Sequence, residues 1–533
     1  MSLEALKDSY RPVVLLILDG FGIGTPSRAN AISQATKPVF DRLIATYPTM
    51  TLQASGEATG LPWAEVGNSE VGHMNIGAGR IVYQELTRIT NDILSGGFEK
   101  NEMMLAAMSH VKTYDSALHL IGMTSSGGVH SHIDHLFALL ETAKSNDIKN
   151  VYIHVILDGR DTPRASGIEF IKKIIDKTEN LGVGTIASIS GRFYAMDRDN
   201  HWDRIENAYR AMVEGVGKQA TDPISAVQAS HDAGIYDEEF ESVVLVSKKG
   251  VPLASLNDND AVIMYNFRAD RMRELSRAIV DPAFDRFTKS NKQNIFALTM
   301  TQYEEGLPVQ VAYPPQHVQG CLSKIISDAG LTQLHIAETE KYAHVTYFLN
   351  GGIEQAFVGE ERILIPSPRI TSYAEKPEMS ARGITDAVNR AIKDGKHDFI
   401  AVNFANADMV GHTGDFEKTK QAIEIIDGLM GNIADTVLSR NGAMIITADH
   451  GNAEHMFDVQ TGQVDKGHTN NPVPCIVIAS ELEGSNVSTI DVAGNDLSIV
   501  IPSGLVSDIA PTILHLLGIL TPTNMTGHNL LEM

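Results

Sequence analysis

Short apolar runs of strand length alternate with amphipathic stretches of helix length along most of this chain. The apolar runs are nearly continuous, which is typical of strands that are covered on both faces of a sheet. Such a succession favours an α/β fold with mainly parallel sheets and helices on both faces. The strand candidates are PVVLLIL, LHLIGM, VYIHVIL, TIASIS, AVIMYNF, NIFALTM, FIAVNF, AMIITA and CIVIAS. Ligands of such folds bind beyond the carboxyl ends of the strands, so the residues that follow each strand are the functional candidates.

The helix candidates fill the segments between these strands, and several are long enough to cover a sheet. They are KPVFDRLIATY, HIDHLFALLETAKS, GIEFIKKIIDKTENLG, FEKTKQAIEIIDGLMGNIADTVLS and SDIAPTILHLLGIL. A chain of 533 residues is long for a single hydrophobic core, so we expect two or three domains. A proline-containing segment at 304–320, without helical periodicity, marks one weak boundary, and the glycine-rich stretch that ends near Arg80 marks another.

The charge balance limits the partners of the protein. A formal net charge of -23 argues against a nucleic-acid partner, because no general basic field is present to attract a phosphate backbone. We expect Cys321 and Cys475 to be buried thiols in a reducing compartment. The first residues lack the apolar core of a signal peptide, and no apolar run reaches the length of a membrane span. These features predict a cytoplasmic protein without a membrane partner.

The stretch GNSEVGHMNIGAGR, residues 67–80, places Ser69 among glycines with His73 four residues further on. It does not match the nucleophile elbow G-x-S-x-G, because Gly72 falls one place late and no apolar strand leads into Gly67. A serine hydroxyl is a poor nucleophile near neutral pH unless a base, a cation or a metal ion activates it. The activating group is therefore expected among other residues of the chain.

Acidic residues and histidines stand where several of the predicted strands end. A lone aspartate in that position is more often a helix cap or a turn former, but the set as a whole is far more specific. Oxygen and imidazole ligands without thiolates suit Mn²⁺ or Zn²⁺. The set comprises Asp19 after VVLLIL, Asp408 and His412 after FIAVNF, Asp449 and His450 after AMIITA, and His468 just before CIVIAS.

Arginines follow three other strand candidates in the middle of the chain. Each could be a surface arginine paired with a neighbouring aspartate, but three strand ends in an acidic protein favour an anion site. Guanidinium groups bind carboxylates and phosphates through paired hydrogen bonds. These arginines are Arg160 in LDGRDTPR, Arg192 and Arg198 in GRFYAMDRD, and Arg268 and Arg271 in NFRADR.

Six long motifs together resemble the cofactor-independent phosphoglycerate mutases of the alkaline phosphatase superfamily. They are ILDGFG, GNSEVGH, NFANADMVGH, ITADHGNAE, GHTNNPVP and GLVSDIAPTIL, and the resemblance covers essentially the whole chain. It implies a discontinuous phosphatase-like, metal-binding domain of residues 1–81 and 313–533. Residues 82–312 would form an inserted α/β domain that binds the substrate.

The resemblance also implies two divalent metal ions, usually Mn²⁺, with Zn²⁺ and Co²⁺ as alternatives. One ion would be bound by Asp408, His412 and His468, and the other by Asp19, Ser69, Asp449 and His450. The ion, rather than His73, would then lower the pKa of the Ser69 hydroxyl. We expect His73 to be a loop residue that bonds to nearby backbone and takes no part in the chemistry.

The implied reaction converts 3-phosphoglycerate to 2-phosphoglycerate and back, through a phosphoserine on Ser69 and without bisphosphoglycerate. Lys341 would lie beside the phosphoserine, and Asp161 would act as the base for the glycerate hydroxyl, unless it merely pairs with Arg160 or Arg164. The substrate contacts would be His130, Arg160, Asp161, Arg192, Arg198, Arg268, Arg271 and Lys341. The inserted domain would close over the metal-binding domain to exclude water, in a monomer whose only partner is the small-molecule substrate.

Three alternatives remain open. A phosphatase or phosphodiesterase of the same superfamily would share the metals and use water as the acceptor, but it would lack the inserted arginines. A sulfatase would need a formylglycine precursor, and neither cysteine lies near Ser69 in the sequence. An inactive scaffold would be expected to have lost at least one of the ligands, and all are present here.

Overall fold

The computed structural model describes residues 9–316, 318–485 and 496–532. It divides into two compact units, the first made of Met1–Gln84 and His317–Met533 and the second of Glu85–Gln316. Each unit contains an eight-stranded sheet. The predicted α/β fold with mainly parallel sheets is therefore confirmed, and the predicted domain boundaries lie within a few residues of these divisions.

The strands are numbered in chain order. They are β1 (Val13–Leu18), β2 (Thr49–Gln53), β3 (Leu118–Thr124), β4 (Val151–Leu157), β5 (Thr185–Gly191), β6 (Lys218–Ala220), β7 (Val243–Leu245), β8 (Ala261–Met264), β9 (Phe296–Thr301), β10 (Gln310–Tyr313), β11 (Gln333–Glu338), β12 (Glu360–Ile365), β13 (Phe399–Phe404), β14 (Ala443–Thr447), β15 (Val473–Ile478) and β16 (Gly504–Leu505).

The α-helices are numbered in the same way. They are α1 (Ala31–Gln34), α2 (Pro38–Thr46), α3 (Ser69–Ala78), α4 (Glu85–Leu94), α5 (Glu102–Tyr114), α6 (Ile133–Ser145), α7 (Gly167–Leu181), α8 (Arg192–Ala195), α9 (Trp202–Tyr209), α10 (Pro223–Asp232), α11 (Arg273–Val280), α12 (Leu322–Asp328), α13 (Ala381–Asp394), α14 (Asn406–Gly411), α15 (Phe416–Ser439) and α16 (Ile509–Leu516).

The sheet of the first unit has the strand order β12-β11-β13-β1-β14-β15-β2-β16. Every strand runs in the same direction except β15, which is antiparallel to both β14 and β2. All residues of β1 and β13 are buried, so both faces of the sheet are covered at its centre. Because β15 is reversed, the segment before it lies at the edge where β1, β13 and β14 end.

The sheet of the second unit has the order β10-β9-β8-β3-β4-β5-β7-β6. Its central strands β8, β3, β4 and β5 are parallel, while β7 is antiparallel to β5. The loops that follow these four strands therefore meet at one edge. These loops carry the histidine and the arginines that the sequence analysis selected.

Helix α15 shows how the local sequence determines an element of the first unit. Asp415 begins it, because its side chain accepts a hydrogen bond from the Lys418 amide. Its buried residues recur at helical spacing and pack on the core of the unit. They include Thr419, Ala422, Ile423, Ile426, Met430 and Ile433. The strong periodicity explains why this helix is predicted with the bounds that the structure shows.

Helix α3 is the largest departure from the predicted elements. The expectation of a glycine-rich loop around Ser69 is wrong, because Ser69–Ala78 is helical. Gly72 is not there for flexibility, since a Cβ atom at this position would lie 2.5 Å from the Asp449 carbonyl oxygen. Its small size lets the first turn of α3 pack directly against the loop after β14.

Several smaller features complete the comparison with the sequence. The predicted strand AVIMYNF is shorter than expected and ends at Met264, and the predicted terminal helix begins at Ile509 after a 3₁₀ turn. Cys321 and Cys475 are buried free thiols, as predicted. Among the helices of the described residues, none is both long and apolar enough to cross a bilayer.

Candidate metal centre

The predicted ligands converge at the carboxyl edge of the sheet in the first unit. Asp19 follows β1, Asp408 lies on α14 after β13, and Asp449 follows β14, so all three lie beyond adjacent parallel strands. Gly20 allows this convergence, because its φ is +73° and a Cβ atom there would lie 2.7 Å from the Asp408 Cβ. All of these side chains are buried.

The first ligand group consists of Asp408, His412 and His468. The Nε2 atoms of the two histidines lie 3.1 and 3.3 Å from Asp408 Oδ1 and 3.1 Å from each other. Their Nδ1 atoms face the backbone carbonyls of Lys466 and Gly67 at 2.7 and 2.8 Å. A ring nitrogen that donates to a carbonyl leaves the other nitrogen free as a ligand, which is the usual arrangement of metal-binding histidines. The donor set fits a divalent cation.

The second predicted ligand group is Asp19, Ser69, Asp449 and His450. The structure brings its members together in two overlapping clusters that could hold a metal ion, Asp19 with Asp408 and His450, and Asp19 with His73 and Asp449. The Ser69 hydroxyl donates to Asp19 Oδ1 at 3.1 Å and lies 3.0 Å from His450 Nε2. Asp449 Oδ2 lies 3.6 Å from the same ring nitrogen and is a buried oxygen without a hydrogen-bond partner. Leaving a buried carboxylate oxygen unpaired is costly. This oxygen therefore also fits a bound cation.

Lys341 connects the two ligand groups. Its Nζ donates to Asp19 Oδ1 at 2.6 Å, to Ser69 Oγ at 2.7 Å and to Asp408 Oδ2 at 2.7 Å. Although burial opposes the charge, the two carboxylates raise the pKa of Lys341 above its usual range. In turn, the ammonium holds the pKa of both carboxyls below their usual range despite their burial.

The position of Lys341 follows from the strand that precedes it. It lies on a 3₁₀ turn, Thr339–Lys341, directly after β11. It is therefore another strand-end residue at the same edge of the sheet. The missed signal was β11 itself, because the polar residues of QLHIAE hide its strand character.

Glu454 is a supporting residue that the sequence analysis missed. Its buried carboxylate accepts hydrogen bonds from the Gly22 amide at 3.1 Å, the Asn452 amide at 2.9 Å and the Asn471 side chain at 3.0 Å. Thr469 also donates to it. One side chain thus joins the loops after β1 and β14 to the loop before β15, the loops that carry Asp19, the Asp449–His450 pair and His468.

His73 lies much closer to this centre than predicted. It is not a loop residue, because it lies within α3 and is fully buried. The predicted hydrogen bond to nearby backbone is present, since His73 Nδ1 lies 2.8 Å from the Ser69 carbonyl oxygen. The same nitrogen also lies 3.3 Å from Asp449 Oδ2. His73 is therefore a direct neighbour of the ligand group.

In the second unit, Arg192 is the buried member of the arginine set. Its Nη1 donates to Asp158 Oδ1 at 2.7 Å and to Asp161 Oδ2 at 2.6 Å. Asp161 therefore pairs with Arg192, and not with Arg160 or Arg164 as the alternative reading supposed. Asp158, which the sequence analysis missed, also accepts from the Ser125 hydroxyl at 2.6 Å. Asp158 fixes the guanidinium beside Asp161.

A second acidic residue, Asp270, gathers three of the predicted substrate contacts. It accepts from Arg198 Nη1 at 2.9 Å and lies 3.2 Å from Arg268 Nε and 3.7 Å from His130 Nδ1. Burial and the nearby charge of Arg192 lower the pKa of His130 to about 4. His130 is accordingly neutral near pH 7.

Arg160 and Arg271 occupy different environments. The side chain of Arg160 is 60% exposed, with Nη1 3.5 Å from Glu238 Oε1. Arg271 Nη1 donates to the Met196 carbonyl at 3.1 Å, and its pKa is lowered by burial and by the charges of Arg198 and Arg192. Arg271 thus belongs to the same positive cluster, while Arg160 lies at the surface.

Comparison with known proteins places the chain in a family. Residues 89–305 match the family model described as "BPG-independent PGAM N-terminus". Relatives from Clostridium beijerinckii and Moorella thermoacetica, both named 2,3-bisphosphoglycerate-independent phosphoglycerate mutase, are 49% and 48% identical to it. The alignments cover 98% of this chain, and 99% and 98% of the relatives.

A solved structure extends this similarity to three dimensions. A Leishmania mexicana phosphoglycerate mutase, studied at low cobalt concentration, is 31% identical and superposes with a TM-score of 0.61. The match covers 98% of each chain. On the strength of the full-length similarity to the bacterial relatives, this chain belongs to the family of 2,3-bisphosphoglycerate-independent phosphoglycerate mutases.

Proposed function

We propose that the protein interconverts 3-phosphoglycerate and 2-phosphoglycerate through a phosphoserine on Ser69, without bisphosphoglycerate. The observation that carries this proposal is the surroundings of the Ser69 hydroxyl. Lys341, Asp19 and His450 all lie within 3.1 Å of Ser69 Oγ, inside a buried group of potential metal ligands. A buried serine with these neighbours is suited to accept a phosphoryl group.

Two divalent metal ions would be held by the two ligand groups described above. We propose Mn²⁺, with Zn²⁺ and Co²⁺ as alternatives, because the ligands are oxygen and imidazole. When bound, such ions act as Lewis acids that neutralise the charge of a transferring phosphoryl group and favour the deprotonated serine. The Nδ1–H bonds of His412 and His468 to backbone carbonyls would hold both rings in the ligand orientation.

The reaction has two halves. In the first, the Ser69 hydroxyl gives up its proton, Oγ bonds to the phosphorus atom and the ester bond of the substrate breaks; the departing oxygen takes up a proton, which yields phosphoserine and free glycerate. In the second, the other hydroxyl of the glycerate gives its proton to Asp161 and its oxygen bonds to the phosphorus atom, while the bond from phosphorus to Ser69 Oγ breaks. Ser69 is then reprotonated and Asp161 deprotonated. The ammonium of Lys341 would stabilise the negative charge on the phosphoryl group throughout, since it already donates to Ser69 Oγ.

The second unit would supply the groups that bind the glycerate. We propose that the carboxylate and the phosphate of the phosphoglycerate substrate are bound by Arg160, Arg192, Arg198, Arg268 and Arg271. His130 is neutral near pH 7 and would donate a hydrogen bond rather than a charge. Arg192 would also orient Asp161, because it bonds directly to that carboxylate. The family resemblance further supports a cytoplasmic monomer whose partner is this small substrate alone.

One assay on chelator-treated protein tests the proposal. The protein receives 3-phosphoglycerate without bisphosphoglycerate, then Mn²⁺, while 2-phosphoglycerate and free phosphate are measured together. We expect 2-phosphoglycerate only after Mn²⁺ is added, with negligible free phosphate. Release of free phosphate instead would identify a hydrolase that uses the same ligand groups, and the mutase proposal would be wrong.

A further inference from the structure

Asn403 has an amide whose orientation is fixed by its neighbours. It lies on β13, is fully buried, and its Nδ2 donates to Asp19 Oδ2 at 2.8 Å. An ionised carboxylate only accepts hydrogen bonds, so the nitrogen of the amide, and not its oxygen, must face Asp19. The same Nδ2 lies 3.1 Å from His73 Nε2. Its second hydrogen is therefore directed at the imidazole.

This contact and the Ser69 carbonyl together determine the tautomer of His73. A ring nitrogen that accepts a hydrogen from Asn403 carries no proton, so the proton of the neutral ring is on Nδ1. That Nδ1–H faces the carbonyl oxygen of Ser69 at 2.8 Å, and Asp449 Oδ2 lies 3.3 Å away. The Asn403 amide thus donates one hydrogen bond to Asp19 and one to His73, and His73 in turn donates to the Ser69 carbonyl.

We propose that Asn403 and His73 are a pair of positioning residues for the Ser69 nucleophile. Because the Asn403 amide donates to Asp19 Oδ2, Asp19 Oδ1 is the carboxylate oxygen that faces Ser69 and Lys341. Oδ1 is the oxygen that lies 3.1 Å from Ser69 Oγ and accepts from Lys341 at 2.6 Å. The amide therefore selects which oxygen of Asp19 faces the nucleophile.

His73 acts at the other end of the pair, on the helix that carries Ser69. It bonds to the first carbonyl of α3, and Gly72 beside it packs against the backbone of Asp449. This fixes the first turn of α3 relative to the loop that carries Asp449 and His450. The inference rests on the proposed function, because such positioning matters for catalysis only if Ser69 is the reacting group.

The experiment measures Mn²⁺ binding by calorimetry for the wild type, Asn403→Leu and His73→Gln. Removing a residue that orients a metal ligand typically weakens affinity by roughly 10- to 100-fold. We expect Asn403→Leu and His73→Gln each to weaken Mn²⁺ binding by this factor at one of the two sites. Mn²⁺ affinity at the other site should change little. His335→Gln is the matched control, since His335 is buried in the same unit and bonds to Val345 and Gln333 away from the centre. It should leave Mn²⁺ affinity unchanged.

Nitrogen-15 NMR of histidine-labelled protein supplies a readout that a purely structural role would not change. The wild-type signal that disappears in His73→Gln should show the Nδ1–H tautomer, and the chemical shift of its unprotonated Nε2 should change in Asn403→Leu, which removes the donor to that nitrogen. An Nε2–H tautomer in the wild type, or wild-type Mn²⁺ affinity in Asn403→Leu, would overturn the inference. Asn403→Leu retains His73, so the affinity test stands even if His73→Gln fails to fold. A wild-type protein that binds no Mn²⁺ would instead overturn the proposed function as well.

Discussion

The ammonium of Lys341 lies 2.7 Å from the Ser69 hydroxyl and donates to Asp19 at 2.6 Å and to Asp408 at 2.7 Å, two carboxylates that are predicted to bind different metal ions. One buried cation thus contacts the candidate nucleophile and one carboxylate of each group. Negative charge that develops on a phosphoryl group at Ser69 would lie beside it. This arrangement makes Lys341 the most informative single side chain to change.

Replacing Lys341 by methionine keeps an unbranched side chain one atom shorter than lysine and removes the charge. We expect kcat to fall by roughly 100- to 1,000-fold, the usual cost of removing one donor that stabilises a transition state. Steady-state assays with saturating Mn²⁺ measure this. Lys324→Met is the control, because the Lys324 side chain lies at the surface and pairs there with Asp328. An unchanged kcat in Lys341→Met would contradict its role.

Metal binding should release protons and weaken at low pH. The hydrogen bond with Asp408 raises the pKa of His412, and although burial opposes it, Asp449 and Asp19 raise that of His450 to about 10. Because the pKa values of His412 and His450 are raised, protons compete with Mn²⁺ for these two rings at higher pH than they would for free histidines. We therefore expect Mn²⁺ affinity and activity to fall steeply below neutral pH.

Calorimetry in buffers of different ionisation enthalpy checks this directly, because it counts the protons released as Mn²⁺ binds. The expected result is net release near pH 7 and a progressive loss of affinity on acidification. Activity that stays flat down to pH 5 with metal still bound would show that these histidines are not ligands.

Glu454 tests whether the loops around the centre are held together as described. Glu454→Gln replaces an acceptor of several hydrogen bonds by a group with a single acceptor oxygen. We expect Mn²⁺ affinity to fall by roughly tenfold or more, because the ligand loops lose their common partner. Glu354→Gln, at an exposed position of the same unit, is the control. Equal affinities in the two variants would count against a positioning role for Glu454.

Arg192 tests the anion cluster of the second unit. Arg192→Lys keeps the charge but loses the guanidinium geometry that reaches Asp158 and Asp161. A lost charged hydrogen bond corresponds to roughly a 10- to 100-fold effect, which we expect in kcat/KM for 3-phosphoglycerate. Arg286→Lys, an exposed arginine beside Asp285, should behave as the wild type. If Arg192→Lys retained the full kcat/KM, as Arg286→Lys should, the proposed role of Arg192 would be wrong.

The parts of this site that were predictable share one physical feature. Asp19, Asp408 and Asp449 each follow a continuous apolar strand, and parallel strands bring such residues to one edge whatever the rest of the fold does. His468 precedes its strand, and it reaches the same edge because β15 runs in the opposite direction. Local sequence and sheet geometry were therefore enough to select these residues.

The parts that were missed depend on contacts between distant segments. Helix α3 was hidden because its glycines, which permit close packing of Gly72 against Asp449 and of Gly77 against Leu349, look like loop residues in the sequence. Glu454 and Asn403 act through hydrogen bonds to residues hundreds of positions away, such as Gly22 and Asp19. No local spacing or periodicity marks such partners, so only the folded chain reveals them.

The most direct test of the account is to trap the protein during turnover. Mn²⁺-loaded protein is mixed with 3-phosphoglycerate, quenched in acid, digested and analysed by mass spectrometry, with Ser69→Ala treated in parallel. The account predicts a phosphate on Ser69 in the wild type, and neither phosphopeptide nor 2-phosphoglycerate in Ser69→Ala. Conversion that continues in Ser69→Ala, or a phosphate found on a different residue, would contradict it.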